Sequence, residues 1–205
     1  MYCIEERQKP KLIIISGIAG SGKTTLSLKL ALTTKYELFS TDTIKETLKP
    51  YIDTREKYFF TSTHEAGDIE NISAIGGFLK HCEVITFHTK KILKEFLNQG
   101  KNVILEGAQL LLSNFDIEGY DLIKVLIVMN SRELALKRYT KKNEVYIKKN
   151  TKWDKNIDRI MQIQEYLIKT APQDAYVFYN NNKSNSKNIF EEIVNMISKG
   201  GRKRK

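Results

Sequence analysis

Gly17-Ile-Ala-Gly-Ser-Gly-Lys-Thr24 is the most informative stretch of the sequence, and it matches the pattern Gly-x-x-x-x-Gly-Lys-Ser/Thr in full. It follows Lys11–Ser16 (KLIIIS), a short run of apolar, β-branched residues that predicts a buried strand. It also opens Thr24–Leu32, a segment rich in good helix formers. A strand, a glycine-rich loop and a helix in this order form the structural context of a phosphate-binding loop. The alternative interpretation is a tight glycine turn with an incidental lysine.

This phosphate loop (residues 17–24) has a mechanical meaning. Glycines let the backbone curl so that successive amides point at phosphate oxygens, and the following helix directs its positive end at the same anion. Lys23 is expected to reach the β- and γ-phosphates of a nucleoside triphosphate, and the Thr24 hydroxyl to ligate Mg²⁺. The predicted nucleotide-binding residues are Gly17, Ala19, Gly20, Ser21, Gly22, Lys23, Thr24 and Thr25.

Strand-like and helix-like segments alternate along the chain, which favours an α/β domain. We expect a mainly parallel five-stranded sheet. Residues 51–77 show no clear period, and 180–185 are predicted to form a loop. The predicted strands are 11–16, 37–40, 103–105, 123–129 and 176–179, and the predicted helices include 24–32, 84–97, 132–140, 153–171 and 189–197.

Charge and composition suggest a single domain with a basic surface. The predicted parts are an N-terminal extension (1–10), the domain itself (11–199) and a basic tail (200–205). The chain has 34 Lys and Arg against 24 Asp and Glu, a net charge of +10, and residues 137–159 hold nine of the basic residues against three acids. Such an excess attracts either nucleic acid or phosphorylated small molecules.

Several classes of protein are excluded by simple patterns. No run approaches the roughly 18 apolar residues of a membrane span. The acids among residues 1–7 stand where a signal peptide needs a basic and then an apolar stretch. Cys3 and Cys82 are too few for a disulfide framework. We therefore expect a cytoplasmic protein with reduced thiols and no membrane partner.

Two acids stand where predicted strands end, at the rim where open α/β sheets bind ligands. Asp42 follows the strand 37–40, and a helix is predicted to begin just after it because Thr43 and Glu46 have capping-box spacing. Glu106 ends the next strand. Phosphoryl transfer to a hydroxyl needs a carboxylate near the acceptor proton and an acid that holds Mg²⁺, and we assign these tasks to Asp42 and Glu106. The alternatives are a helix N-cap for Asp42 and a structural partner of a buried base for Glu106.

Further blocks of sequence carry a family resemblance: Ser40–Glu46, Thr61–Gly67, Gly77-Phe78 with His81, Gly100–Gly107, Arg132–Arg138 and Ile160–Ala171. Together they resemble the 2-phosphoglycerate kinase-like P-loop kinases over about residues 11–182, most of the chain. The resemblance implies a three-layer P-loop fold of the nucleoside and nucleotide kinase type, with a small basic lid.

The resemblance implies transfer of the γ-phosphoryl group of ATP, with Mg²⁺, to an alcohol on a small phosphorylated acid. Such an acceptor would explain cationic residues near the site, and Lys45 and Arg55 follow Asp42 closely in the sequence. His64 lies in a similar block and is expected to contact the acceptor, the alternative being a polar loop residue.

Arg132 and Arg138 open the basic cluster at the position where P-loop kinases have a lid, which we expect near residues 138–156. Arginines of such a lid neutralise the charge that develops on the transferred group. The predicted catalytic residues are therefore Lys23, Asp42 and Arg138, the predicted substrate-binding residues are Asp42, Lys45, Arg55, His64, Glu106 and Arg132, and the predicted metal ligands are Thr24 and Glu106.

Two departures from the family pattern leave the identity of the acceptor open. Gln109 stands where the family has a histidine, and Lys45 stands where it has an arginine, which would offer a two-pronged donor in place of a point charge. Two other activities also remain open. One is a polynucleotide 5′-hydroxyl kinase, suggested by the net charge of +10, and the other is a toxin-like sugar-nucleotide kinase.

Overall fold

The computed structural model describes residues 9–145 and 152–199. Five strands form one sheet with the order β2-β3-β1-β4-β5. The strands are β1 (Lys11–Ser16), β2 (Glu37–Ser40), β3 (Val103–Gly107), β4 (Asp121–Val128) and β5 (Tyr176–Tyr179). The helices are α1 (Lys23–Thr34), α2 (Thr41–Leu48), α3 (Lys57–Phe60), α4 (Ala74–Asn98), α5 (Arg132–Val145), α6 (Ile157–Lys169) and α7 (Lys183–Ser198), with 3₁₀ turns at Lys49–Tyr51, Ala66–Ile69 and Leu112–Asn114.

Every neighbouring pair of strands in this sheet is parallel. The carboxyl ends of the strands therefore lie along one edge, where open α/β sheets bind ligands. In the register of the central strands Ile15 stands beside Glu106, and Ser40 of the edge strand pairs with the same glutamate. The residues that follow β1, β2 and β3 consequently meet at this edge.

Alternate residues of β1 face two separate apolar layers. Leu12 and Ile14 pack in a layer that α4 and α6 cover with residues such as Phe78 and Ile160. Ile13 and Ile15 pack on the opposite face, where the buried residues of α1 and α7 cover them. Helices on both faces of a parallel sheet bury its strands completely. The predicted three-layer fold with five parallel strands is confirmed.

Several predicted helix starts differ from the structure. Helix α4 begins at Ala74 and not at residue 84, and α6 begins at Ile157 and not at residue 153. The starts of α2 and α7 have a visible cause. Helix α2 begins at Thr41 and not after Asp42, so Asp42 lies in its first turn and Ser40 holds the N-cap position. The reason is tertiary, because Thr41 is fully buried and packs so closely on β3 that a Cβ at Gly107 would lie 2.0 Å from its hydroxyl. Helix α7 begins at Lys183, within the predicted loop, because the Asn182 side chain accepts a hydrogen bond from the backbone amide of Asn185.

In the stretch 51–77, which shows no clear period, residues 51–73 contain only short helical turns, which pack against α4, and residues 74–77 form the first turn of α4. Gly67 and Gly77 come so close that a Cβ at Gly77 would lie 2.1 Å from the Gly67 nitrogen. Contacts with α4 hold these turns, and such contacts leave no periodic pattern in the local sequence. In the described ranges, no helix is long and apolar enough to span a membrane. Most of the predicted N-terminal extension (1–8), the middle of the predicted lid (146–151) and the predicted tail (200–205) lie outside the described residues.

Candidate active site

The phosphate loop lies between β1 and α1, as the motif predicts, and its conformation requires glycine. Gly17 and Gly22 have φ angles of +143° and +101°. A Cβ at Gly17 would lie 2.1 Å from the Ile127 carbonyl oxygen, and one at Gly22 would lie 2.4 Å from the Asn180 amide nitrogen. Any larger residue at either position would both strain the backbone and displace a neighbouring strand or loop.

Lys23 is the first residue of α1, and its side chain is buried over the phosphate loop. Its ammonium group donates a hydrogen bond to the Ile18 carbonyl, 3.0 Å away. Burial lowers the pKa of Lys23, while the charges of Glu106 and Asp42 act in the opposite direction. A buried ammonium with a neutral carbonyl as partner is poorly compensated, so an anion at this loop would be a better partner.

Thr24 and Glu106 meet between α1 and β3. The Thr24 hydroxyl donates to a Glu106 carboxylate oxygen at 3.3 Å, and Glu106 is only 4% exposed. A hydroxyl and a carboxylate are oxygen ligands of the kind that Mg²⁺ prefers. No group of three or more His, Cys, Asp or Glu side chains within residues 9–145 and 152–199 could hold a metal. The pair therefore fits an ion that takes its remaining ligands from phosphate oxygens and water, as Mg²⁺ does in nucleotide sites.

Asp42 is exposed in the first turn of α2. A side chain of the segment that follows β3 holds its carboxylate. The Gln109 amide nitrogen donates to an Asp42 carboxylate oxygen at 3.1 Å. Burial lowers the pKa values of Lys23, Lys45 and Lys142, and the charge of Asp42 acts against this lowering at all three ammonium groups. Asp42 thus faces the same space as the phosphate-loop lysine.

Lys45 lies one turn beyond Asp42, next to a buried histidine. Its ammonium group donates to the Thr61 carbonyl at 2.6 Å, and burial lowers its pKa. His81 of α4 is fully buried, and its Nδ1 atom lies 2.6 Å from the Tyr58 carbonyl. Burial first, and then the charge of Lys45, lower the pKa of His81 to about 4. The imidazole is therefore neutral near pH 7.

His64 is also buried, but it belongs to a different group of side chains. Its backbone carbonyl accepts a hydrogen bond from Arg159 at 3.4 Å. Burial lowers the pKa of His64, and the charges that act on it come from Glu65, Arg159, Lys152 and Asp68. These contacts do not connect His64 with Asp42 or Glu106, so its predicted contact with the acceptor remains a prediction.

Arg55 and Arg132 lie away from the cluster of Lys23, Asp42 and Glu106. The Arg55 side chain is 90% exposed and pairs with Asp53. The Arg132 guanidinium pairs with Asp158 of α6 at 2.9 Å. The structure therefore does not bring these two arginines to the site, and their predicted roles as substrate ligands rest on the sequence alone.

Arg138 lies against the phosphate loop and not over it. One guanidinium nitrogen donates to the carbonyls of Gly20 and Ser21 at 3.1 and 3.3 Å, and another donates to the Asn180 carbonyl at 2.6 Å. Burial lowers its pKa. The Asn180 amide also donates to the Ser21 carbonyl at 2.7 Å. These bonds brace the loop from α5 and from the segment after β5, a contribution that differs from the predicted neutralisation of the transferred group.

Lys142 lies one turn beyond Arg138 on α5, within the predicted lid. The charges of Glu106 and Asp42 act on it, although burial lowers its pKa overall. Its ammonium group also lies 5.4 Å from the centre of the Trp153 ring. The sequence marks Lys142 only as one of many basic residues in 137–159, and spacing alone does not distinguish it from a solvated lysine.

Comparisons with known proteins agree with this geometry. No family model matches the chain. A 2-phosphoglycerate kinase of Pyrococcus furiosus is 29% identical over 170 residues, which cover 79% of this chain and 56% of the relative. A second 2-phosphoglycerate kinase, from Methanocaldococcus jannaschii, is 24% identical over 200 residues, 93% of this chain and 64% of the relative. The chain is similar to 2-phosphoglycerate kinases.

That similarity confirms the resemblance predicted from the sequence, although the chain matches only part of the length of each relative. The chain spans between about half and two thirds of the relatives it matches, 56% and 64% of the two named above. A mevalonate-3-phosphate 5-kinase of Thermoplasma acidophilum is 28% identical over 102 residues, 47% of this chain and 50% of that protein.

Solved structures show the same fold. The shikimate kinase of Acinetobacter baumannii, solved with shikimate, has a TM-score of 0.55 and 16% identity, covering 96% of this chain and 97% of that one. A putative kinase from Chloroflexus aurantiacus has a TM-score of 0.56 and 17% identity, covering 95% of this chain and 99% of that one. At these identities the likeness concerns the fold alone, and it confirms the predicted P-loop kinase architecture.

Proposed function

We propose that this protein is an ATP-dependent small-molecule kinase, which transfers the γ-phosphoryl group to a hydroxyl of a phosphorylated small acid such as 2-phosphoglycerate. The observation that carries the proposal is the meeting of four side chains at one edge of the sheet. Lys23 and Thr24 come from the phosphate loop, Asp42 from the start of α2 and Glu106 from the end of β3. For transfer, the residues that bind the donor phosphates must lie beside the residue that receives the acceptor proton, so that the two reactants are held in contact.

On the donor side, the loop amides and the Lys23 ammonium would bind the triphosphate of ATP. Thr24 and Glu106 are the residues that would hold Mg²⁺, in line with their contact at 3.3 Å. The ion would supply positive charge to the phosphate oxygens. Arg138 would keep the loop carbonyls turned outward, so that the loop amides stay directed at the phosphates.

On the acceptor side, Asp42 would accept the proton of the substrate hydroxyl. The hydroxyl oxygen forms a bond to the γ-phosphorus while the bond from that phosphorus to the β–γ bridging oxygen breaks, and ADP leaves with the bridging electrons. Lys45 would bind an anionic group of the acceptor, because its buried ammonium has only the Thr61 carbonyl as a hydrogen-bond partner among the described residues. Lys142 would neutralise charge on the transferred group from the lid side.

The names of the relatives support a phosphorylated acceptor. Two different kinases are among them, and both names describe an acceptor that already carries a phosphate. A cationic residue next to the proton-accepting carboxylate, as Lys45 is to Asp42, suits such a substrate. Neither the polynucleotide kinase nor the sugar-nucleotide kinase is favoured by these names.

The test is an assay of ATP consumption with Mg²⁺ over a panel of acceptors. The panel contains phosphorylated hydroxy acids, with 2-phosphoglycerate first, and also nucleosides, sugar nucleotides and 5′-hydroxyl oligonucleotides. We expect transfer to a phosphorylated hydroxy acid and a product with one added phosphate. Transfer to oligonucleotides, with binding that falls with salt at a log–log slope near −0.9 per phosphate contacted, would instead favour the polynucleotide kinase. A phosphorylated sugar nucleotide would favour the third activity.

The same assay tests the phosphate loop. Lys23→Met should abolish transfer and weaken ATP binding, because it removes the buried charge that faces the phosphates. Lys29→Met is the matched control, since Lys29 is an exposed lysine of the same helix. Equal ATP affinity in Lys23→Met and Lys29→Met would contradict the assignment of this loop.

A further inference from the structure

The buried side chain of Gln109 connects the proton-accepting carboxylate to the strand that carries Glu106. Gln109 follows Glu106 by three residues and is 3% exposed. Its amide oxygen accepts a hydrogen bond from the Thr41 hydroxyl at 2.5 Å, and its amide nitrogen donates to a carboxylate oxygen of Asp42 at 3.1 Å. Both ends of the amide are therefore engaged, by two consecutive residues of α2.

The orientation of this amide follows from its partners. An ionised carboxylate only accepts hydrogen bonds, so the nitrogen of Gln109 must face Asp42. The oxygen then faces Thr41, whose hydroxyl can donate. The Thr41 hydroxyl is itself confined, because its oxygen lies where a Cβ at residue 107 would be only 2.0 Å away. Glycine at this position lets Thr41 pack against the end of β3, and this packing fixes the position of the Thr41 hydroxyl that holds Gln109.

One oxygen of Asp42, Oδ1, is occupied by this hydrogen bond. A carboxylate held at one oxygen cannot rotate freely, although its residue is exposed on the first turn of a helix. The second oxygen is then the one presented to an acceptor hydroxyl. Misplacement of a reacting group by about 1 Å can cost on the order of 10²-fold in rate, so restraint of this kind affects turnover strongly.

We propose that Gln109 is a positioning residue, which orients the Asp42 carboxylate toward the acceptor hydroxyl through the relay Thr41–Gln109–Asp42. This inference rests on the proposed function, because it assigns a task to Gln109 only if Asp42 accepts the proton. It also gives a role to the residue at which the sequence departs from the family pattern.

The first test is Gln109→Met, which keeps the length of the side chain and removes both hydrogen bonds. We expect kcat to fall by about 10²-fold, while the KM for ATP stays within about twofold, because the donor site is not touched. Gln162→Met is the matched control, the same substitution at an exposed glutamine of α6, and it should leave kcat unchanged. Thermal unfolding and ATP binding of both variants establish that they are folded.

A double-mutant cycle separates positioning from a general loss of structure. In an Asp42→Asn background, Gln109→Met should cause no further loss of kcat, because the carboxylate that it orients is gone. An equal loss in both backgrounds would overturn the proposal, and so would an unchanged kcat in the single variant.

A pH profile gives a readout that a purely structural role would not move. Gln109→Glu places a second carboxyl group at hydrogen-bond distance from Asp42, and two such groups share a proton readily. The acidic limb of the pH profile of kcat should therefore shift to higher pH in this variant. An unshifted limb would contradict the relay. The wild-type protein is measured first, with the acceptor panel. If it transfers phosphate to none of the acceptors, the proposed function fails and this inference fails with it, whereas an active wild type with an unaffected Gln109→Met variant overturns this inference alone.

Discussion

Asp42 and Glu106 are two carboxylates of one site with different surroundings, and the surroundings suit different tasks. Glu106 is buried beside a hydroxyl and within reach of the Lys23 and Lys142 charges. Asp42 is exposed and held at one oxygen. A carboxylate that a substrate can reach suits proton transfer, and a buried carboxylate beside a hydroxyl suits Mg²⁺ binding.

Asp42→Asn tests this division. The amide keeps the shape of the side chain but cannot accept the proton, so kcat should fall by roughly 10²-fold or more, the usual size of a general-base contribution. ATP affinity should be kept, because the substitution leaves the phosphate loop unchanged. Glu46→Gln is the control, an exposed acid on the same helix with the same chemical change. A turnover number that Asp42→Asn leaves intact would remove Asp42 from the mechanism.

At the scale of elements, the phosphate loop is braced by parts of the chain that follow it by more than a hundred residues. Helix α5 contributes Arg138 and Tyr139, whose hydroxyl donates to the Ala19 carbonyl at 3.0 Å. The segment after β5 contributes Asn180, which contacts both the loop and Arg138. Arg138 and Tyr139 lie at the start of the predicted lid (138–156), so these bonds connect that part of α5 to the phosphate loop.

Arg138→Ala distinguishes a brace from a catalytic arginine. Loss of three hydrogen bonds to the loop and to Asn180 should raise the KM for ATP by about 10-fold, the equivalent of about 1.4 kcal/mol, with a smaller change in kcat. Lys137→Ala, at the exposed neighbouring position, should leave both constants unchanged. A large fall in kcat with an unchanged KM would instead support the role predicted from the sequence, in which Arg138 acts on the transferred group.

At the scale of the whole molecule, stability should depend on the protonation of a buried histidine. The pKa of His81 is lowered to about 4, chiefly by burial, from an ordinary value of 6.5. Between these two pH values the unfolded chain binds a proton at His81 that the folded chain does not bind. We therefore expect the contribution of His81 to the free energy of unfolding to be fully present above pH 6.5 and to be lost as the pH falls toward 4, a decline of up to about 3 kcal/mol.

Urea unfolding between pH 7.5 and 4 measures this dependence. His81→Gln should flatten the decline, since glutamine does not titrate in this range. His88→Gln provides the comparison, because His88 is only partly buried on the same helix and should leave most of the decline in place. The same slope in His81→Gln as in the wild type would show that other groups carry the pH dependence.

Local chemistry accounts for the features that could be read from the sequence. The glycine spacing of residues 17–24 and the apolar run 11–16 gave the phosphate loop and β1, and 37–40 and 176–179 coincide with β2 and β5. These signals are contained in a few consecutive residues, because backbone conformation and burial of a short strand depend mainly on neighbours in the chain. They were sufficient to predict the fold class and the placement of Lys23, Thr24 and Glu106.

The rest of the site required the packing of distant segments. Gln109 reaches Asp42 across 67 residues, and Arg138 reaches Gly20 across 118. The same packing starts α2 at Thr41 and pairs Arg132 with Asp158 of α6. Periodicity and motif spacing carry no information about such pairs. Strand order and side-chain burial bring them together, and both arise only when the sheet and its two helical layers have assembled.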